Sequence, residues 1–163
     1  MDFELAPEQR QIRDLFARFV DAEVVAQAAA IDAAHAYPGA LMRKLADLGF
    51  FAMRYPAEVG GLALAEIARG SMSLAGCAAM QALMGTKFLH LLGGADIIER
   101  LFKPALAGEK IGAICMTEPD AGSDLDGIAT TARQVPGGYV LNGRKTWVTA
   151  APVADFFTVF AKA

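Results

Sequence analysis

Over the first hundred positions, apolar residues recur at helical spacing. Ile12, Leu15, Phe16, Phe19 and Val20 fall at i, i+3, i+4, i+7 and i+8, one stripe of a single helix. Arg10, Arg13, Asp14, Arg18 and Asp21 lie mostly off that stripe. Pro7 suits the first helical turn, where its missing N–H would be unpaired anyway. The alanine-rich stretch 22–35 predicts a second helix. A third starts at Pro38, with Leu41, Leu45 and Leu48 inward and Gly49 as its stop. Residues 55–61 (Tyr-Pro-Ala-Glu-Val-Gly-Gly) read as a loop. The helical signal resumes near Ala65 and runs to about Leu106, with breaks at Gly85 and Gly93-Gly94.

Beyond residues 107–110 the period becomes two. Strands are expected over 110–117, 128–135, 139–141, 144–149 and 156–160, with a turn at 136–138. Asn142-Gly143 predicts a further hairpin, because both residues of a tight hairpin turn need positive φ. Helices followed by an antiparallel meander imply an α+β fold. An N-terminal helical bundle (1–110) precedes a partial antiparallel β domain (111–163). Five short strands make an unfinished sheet, and an apolar last strand, Phe156-Phe-Thr-Val-Phe160, needs a cover. More chain or a partner is therefore expected.

Composition narrows the function classes. Of the 163 residues, 55% are hydrophobic and 20% charged, which favours a packed core over disorder. A net charge of −3 without a basic stripe gives no electrostatic case for nucleic acid. The two cysteines, Cys77 and Cys115, sit in apolar runs and read as buried reduced thiols. No Cys/His spacing suggests a metal. The stretch 72–92 is largely apolar, but Gln81, Lys87 and His90 interrupt it. A buried helix or helix pair fits it better than a membrane span. The acidic start of the chain shows no signal peptide, so a cytoplasmic or organelle-matrix location is expected.

Two segments could carry chemistry. In the strand expected over 144–149, Lys145, Trp147 and Thr149 would share one face. An indole beside a hydroxyl suits a flat heteroaromatic ring; the other reading makes Trp147 core and Thr149 an ordinary strand residue. In "MTEPDAGSD" (116–124), Pro119 ends a strand and Gly122 permits close backbone approach. Thr117 offers a hydroxyl, and Ser123 with its neighbouring N–H groups could hold a phosphate. The other reading is an acidic turn built by Asp120, Ser123 and Asp124.

These segments occur in a recognisable order. "MTEPDAGSD", followed by "GGYVLNGRKTWVTAA", resembles the acyl-CoA dehydrogenase family. "FELAPEQRQIRDLFARFV", "LGFFAMRYPAEVGG" and "KPALAGEKIGAICMTEP" resemble its first helix, its Gly-Gly loop and its link between domains. The resemblance implies FAD held between a β domain and a helical bundle, and oxidation of an acyl-CoA at its α and β carbons. It implies that Ile114, Cys115, Met116, Thr117, Gly122 and Ser123 border the flavin and its pyrophosphate. Ser123 would also reach the bound thioester ligand. Trp147 would lie against the flavin face away from the substrate, with Val148 and Thr149 completing the contact. An electron-transfer flavoprotein as acceptor, and a homo-oligomer or a complementary chain, follow from the same likeness.

Three features depart from the family pattern. The link from Gly60-Gly61 to the next helix is about ten residues shorter than usual. Ala6 replaces a hydroxyl N-cap, a change that costs about 1 kcal/mol. The family's catalytic glutamate lies in a C-terminal helical bundle beyond Ala163, so no catalytic residue is assigned. Glu118 reads as a structural carboxylate paired with backbone or a nearby cation. Acyl-CoA oxidases and some flavin monooxygenases are similar over the same segments. A non-catalytic module binding flavin, CoA or a sister subunit is a third reading.

Overall fold

The computed structural model describes residues 4–53 and 60–163. Helix α1 (Pro7–Phe19) begins with its proline in the first turn. Ala6 has no side-chain cap, but its N–H donates to Gln9 Oε1 at 2.9 Å, so half of a reciprocal cap survives. The helical path continues through a wide π-type turn, Val20–Val24, and a tight 3-10 turn, Val25–Gln27. It then becomes α2 (Ala28–Ala34), which ends where His35 turns left-handed at φ 48°. Helix α3 (Gly39–Asp47) follows Pro38, and Gly49 leaves it at φ 78°.

Residues 55–59 of the expected loop lie outside the described residues. Gly60 and Gly61 open helix α4 (Gly60–Gly70), five residues before the expected start, so the short link costs the fold no helix. A break between α4, which ends on Gly70, and α5 (Met72–Ala79) interrupts a run expected to be continuous there. Ser71 makes it, its hydroxyl capping the Leu74 N–H at 3.2 Å. A second π-type turn, Met80–Gly85, extends α5. Helices α6 (Lys87–Leu92), α7 (Ala95–Ile97) and α8 (Lys103–Leu106) follow, the last two joined by a π-type turn at Ile98–Phe102. Among the described residues, no helix is long and apolar enough to cross a membrane.

The predicted stripe of α1 faces inward. Phe16, Val20 and Val24 are buried against Leu41, Leu45, Phe50, Phe51, Ile67 and Leu74. Phe16 meets Phe50 edge-on at 5.8 Å, and Phe50 meets Phe51 likewise at 5.6 Å. Each fully buried side chain of this size contributes about 1.5–3 kcal/mol.

The β region holds four strands: β1 (Gly112–Cys115), β2 (Thr131–Val135), β3 (Gly138–Asn142) and β4 (Phe156–Val159). The α+β fold is borne out, but the fully antiparallel meander needs correction. β2 and β3 form the expected antiparallel hairpin, with Thr131 opposite Asn142 and Val135 opposite Gly138. Pro136-Gly137 is its turn, with Gly137 at φ 84°. β1 and β4 instead pair in parallel, Gly112 opposite Phe156 and Cys115 opposite Val159.

The Asn142-Gly143 hairpin and the strand over 144–149 are absent. Asn142 stays extended within β3, so the turn lacks one of its two positive-φ residues. Gly143 passes so close to Thr130 that an added Cβ would sit 2.3 Å from its hydroxyl. The chain then runs on irregularly toward β1. β4 is partly covered: Phe160, just past it, packs edge-on against Phe88 at 5.4 Å, while Phe157 stays half exposed.

Besides this aromatic contact, a polar joint mounts the β region on the helices. Gln81, buried in the second π-type turn, donates to the Ala105 and Lys110 carbonyls at 3.1 and 2.9 Å. Its Oε1 accepts from the Gly112 N–H at 2.9 Å. Gly85 and Gly112 touch backbone to backbone; a Cβ on Gly85 would lie 2.9 Å from the Gly112 oxygen. Asp155 closes the other side of β1, its carboxylate accepting from the Ile111 N–H at 2.7 Å.

Candidate functional site

β1 delivers the chain into residues 116–124; its ladder stops at Cys115, two residues short of the expected end and four before Pro119. Glu118 and Ala121 exchange backbone hydrogen bonds of 2.8 and 3.3 Å, which closes a tight turn. Gly122 and Ser123 follow that turn on the surface. Asp124 accepts from the Asp126 N–H, so part of the stretch is the acidic turn its composition suggested.

Glu118 is the hub. Its carboxylate accepts from the N–H groups of Ala129 and Thr130 at 2.6 and 2.9 Å. It also accepts from Lys145 Nζ at 2.8 Å, with both side chains more than nine-tenths buried. Lys145 donates a second bond, to the Met116 carbonyl at 2.9 Å. The Lys145 ammonium, and then the donors of Thr130 and Ala129, hold the carboxyl down at about 2. Glu118 is therefore ionised and saturated, as its structural reading required.

One backbone bond ties the two chemistry-bearing segments together: the Thr146 N–H donates to the Thr117 carbonyl at 2.9 Å. Thr117 and Trp147 are thus neighbours in space. The expected shared face of Lys145, Trp147 and Thr149 is not formed. Trp147 adopts φ 57°, which inverts the alternation of an extended chain. Lys145 points inward, while the Trp147 side chain is 91% exposed. The reading of Trp147 as a core residue fails with the strand. Val148 is half-buried and its carbonyl accepts from the Ala151 N–H, closing a turn that leaves Thr149 exposed. Of the remaining predicted residues, Ile114 and Met116 are half-buried. Cys115 is buried in β1, its carbonyl bound by the Phe160 N–H and its thiol pushed up by burial.

A concavity of about 470 Å³ lies over this joint, lined by Pro119, Arg144, Thr146 and Trp147. It offers a flat apolar ring, a rigid proline and a guanidinium, while the Thr146 hydroxyl is buried behind them. That donor set fits one face of a planar heteroaromatic group carrying an anion. Arg144 and Thr146 were not singled out from the sequence as ligand-facing; a cation beside Glu118 was expected, and the structure identifies it as Lys145. A lysine two positions before an exposed tryptophan and a glutamate beside a proline were the available signal, and only their spatial closeness gives it meaning.

Residues 6–109 match the model of the acyl-CoA dehydrogenase N-terminal domain, and residues 113–163 match that of the middle domain. The chain belongs to the acyl-CoA dehydrogenase family. It is 69% identical to the benzylmalonyl-CoA dehydrogenase of Aromatoleum aromaticum, covering 100% of this chain and 46% of that protein. It is 40% identical to a 3-(aryl)acrylate reductase of Clostridium sporogenes, covering 93% of this chain and 42% of that one. The chain thus spans less than half the length of either relative. The solved FAD complex of PigA has the same fold over the whole chain, with a TM-score of 0.89 at 29% identity and 45% of that chain covered.

Proposed function

We propose that this acyl-CoA dehydrogenase family chain supplies the helical part and the flavin-contacting β part of an FAD-dependent enzyme. The reaction is oxidation of an acyl-CoA thioester between its α and β carbons. The division falls near residue 110, where the Gln81 joint mounts β1 on the helices. The observation that carries the reading is Trp147: a large apolar ring held at positive φ, nine-tenths exposed, over a concavity next to Thr117. A bulky residue in that conformation stores backbone strain, which collects at ligand-binding sites.

Trp147 would hold one face of the flavin ring, with Val148 and Thr149 extending the contact. Thr117 would bond the edge of the ring, and Gly122 and Ser123 the pyrophosphate, with Ser123 also reaching the thioester ligand. Ile114 and Cys115 in β1, with Met116 just after it, would carry the chain that fixes Thr117. Bound FAD supplies a two-electron acceptor for hydride from the β carbon. The residues described here bind and orient; none is assigned as the base that removes the α proton. The names of the two relatives support a substrate whose acyl chain bears an aromatic ring. An electron-transfer flavoprotein as electron acceptor and assembly as a homo-oligomer complete the reading.

The test is the visible absorption spectrum of the purified chain, before and after incubation with FAD and gel filtration. A flavin band that travels with the protein is expected. Protein that elutes colourless after incubation refutes a flavin site formed by these segments.

A further inference from the structure

Glu118 and Lys145 are 7% and 9% exposed, whereas ion pairs of the helical layer such as Lys44–Glu23 and Arg100–Asp96 lie on the surface. Apolar side chains of similar volume could fill the same space without loss of stability. They could not make the same ties. From one ammonium, Lys145 reaches both the Met116 carbonyl and the Glu118 carboxylate. Between those two acceptors, the Thr117 carbonyl is held by the Thr146 N–H. Glu118 also grips the Ala129 and Thr130 N–H groups, and Gly143 crosses directly over Thr130. The stretches 116–118, 129–130 and 143–146 are thus gathered around one carboxylate. The residues lining the concavity come from the same place: Pro119 follows Glu118, Arg144 and Thr146 flank Lys145, and Trp147 is two positions on. An extended chain puts residues i and i+2 on one face, so Trp147 would follow Lys145 inward. Its φ of 57° sends the ring outward instead. A tryptophan holds that conformation only where its surroundings impose it.

We propose that Glu118 and Lys145 are positioning residues of the flavin site: their pair holds Trp147 left-handed and sets its ring beside Thr117, a role that rests on the function proposed above. Both side chains lie beneath the concavity and act through the backbone they fix. In that function the flavin ring meets Trp147 on its face and Thr117 at its edge. The gap between those two residues decides whether both contacts form at once. Lys145 and Thr146 set that gap, the first by its side chain and the second by its N–H. A seat fixed before the ligand arrives spares the cost of ordering it on binding. Loosening the pair therefore weakens flavin binding while every group that contacts the flavin stays in the chain.

Strain at Trp147 tests the backbone role without flavin. Glycine takes positive φ freely and alanine does not. With the pair intact, Trp147→Gly should melt about 3 °C above Trp147→Ala. Combining Lys145→Met with Glu118→Gln removes the pair and leaves no buried charge unpaired. In that background the glycine advantage should vanish or reverse, because a freed position favours alanine. Each comparison stays within one background, so the general loss of stability from the missing pair cancels. Glu118→Gln alone, the milder change, should shrink the advantage in the same direction. An advantage that keeps its full size in both backgrounds overturns the proposal, because something else then imposes the turn. Titration with FAD tests the flavin role, with Trp147 retained. The neutral-pair variant should bind FAD at least about tenfold more weakly than the parent, with Glu118→Gln in between. The visible spectrum of its bound flavin should move toward that of free FAD. Ile67→Val, a destabilisation in the helical core, should leave the affinity within about twofold. Parental affinity and spectrum in the neutral-pair variant overturn the proposal while the flavin reading stands. A parent chain that binds no FAD refutes the flavin reading, and this role with it.

Discussion

Replacing Gln81 with leucine should loosen the joint between helices and β region while leaving each layer packed. Leucine matches the glutamine closely in volume, so the change removes hydrogen bonds and little else. Three bonds are lost. The Ala105 carbonyl keeps a partner in the Gly108 N–H. The Gly112 N–H and the Lys110 carbonyl are left without the Gln81 partner that fixes the entrance of β1. Each unsatisfied buried group costs about 1–3 kcal/mol, so a total of about 3 kcal/mol is expected. At roughly 2–4 °C per kcal/mol, the melting temperature should fall by on the order of 10 °C. Urea unfolding at constant slope gives the free energy. Hydrogen exchange gives the location, with the 112–115 amides losing protection before those of α1. A loss below about 0.5 kcal/mol would refute the idea that these bonds carry the joint. So would a loss spread evenly over the helices.

Two further outcomes follow from the site. The Glu118 carboxyl titrates near about 2 in the folded chain, against an ordinary value of 4.5. The unfolded chain takes up that proton first as pH falls, so the stability the carboxylate provides is complete above about 4.5 and is lost toward 2. Glu118→Gln should therefore flatten the fall of melting temperature over that window; an unaltered slope argues against the buried pair. Trp147→Ala removes an exposed ring and should change stability by less than about 0.5 kcal/mol. It should nevertheless reduce the FAD retained after gel filtration, read as the ratio of visible to ultraviolet absorbance. Equal retention in both proteins would remove Trp147 from the flavin contact.

The helical half was largely written in local pattern. The stripe from Ile12 to Val20 and the stop at Gly49 each follow from a few adjacent residues, as does the hairpin turn at Pro136-Gly137 in the β half. What local pattern could not carry was set by distant partners. The Asn142-Gly143 signal lost to the ladder holding Asn142 opposite Thr131 and to Gly143 passing over Thr130. The alternation of Lys145 and Trp147 lost to a buried ion pair that draws Lys145 inward toward Glu118, 27 residues earlier in the chain. The parallel partner of β1 lies beyond both hairpin strands, a pairing that periodicity does not encode. Ser71 is a different case: its N-cap signal is local, but the apolar pattern runs on through it.

Trp147 is also the chain's single tryptophan. All indole emission therefore originates at one point on the surface, beside Thr117 and open to water. An isoalloxazine ring laid against it would quench that light by contact and by energy transfer. The protein carries a fluorescent reporter of its own cofactor occupancy, placed by the same left-handed residue that turns the indole outward.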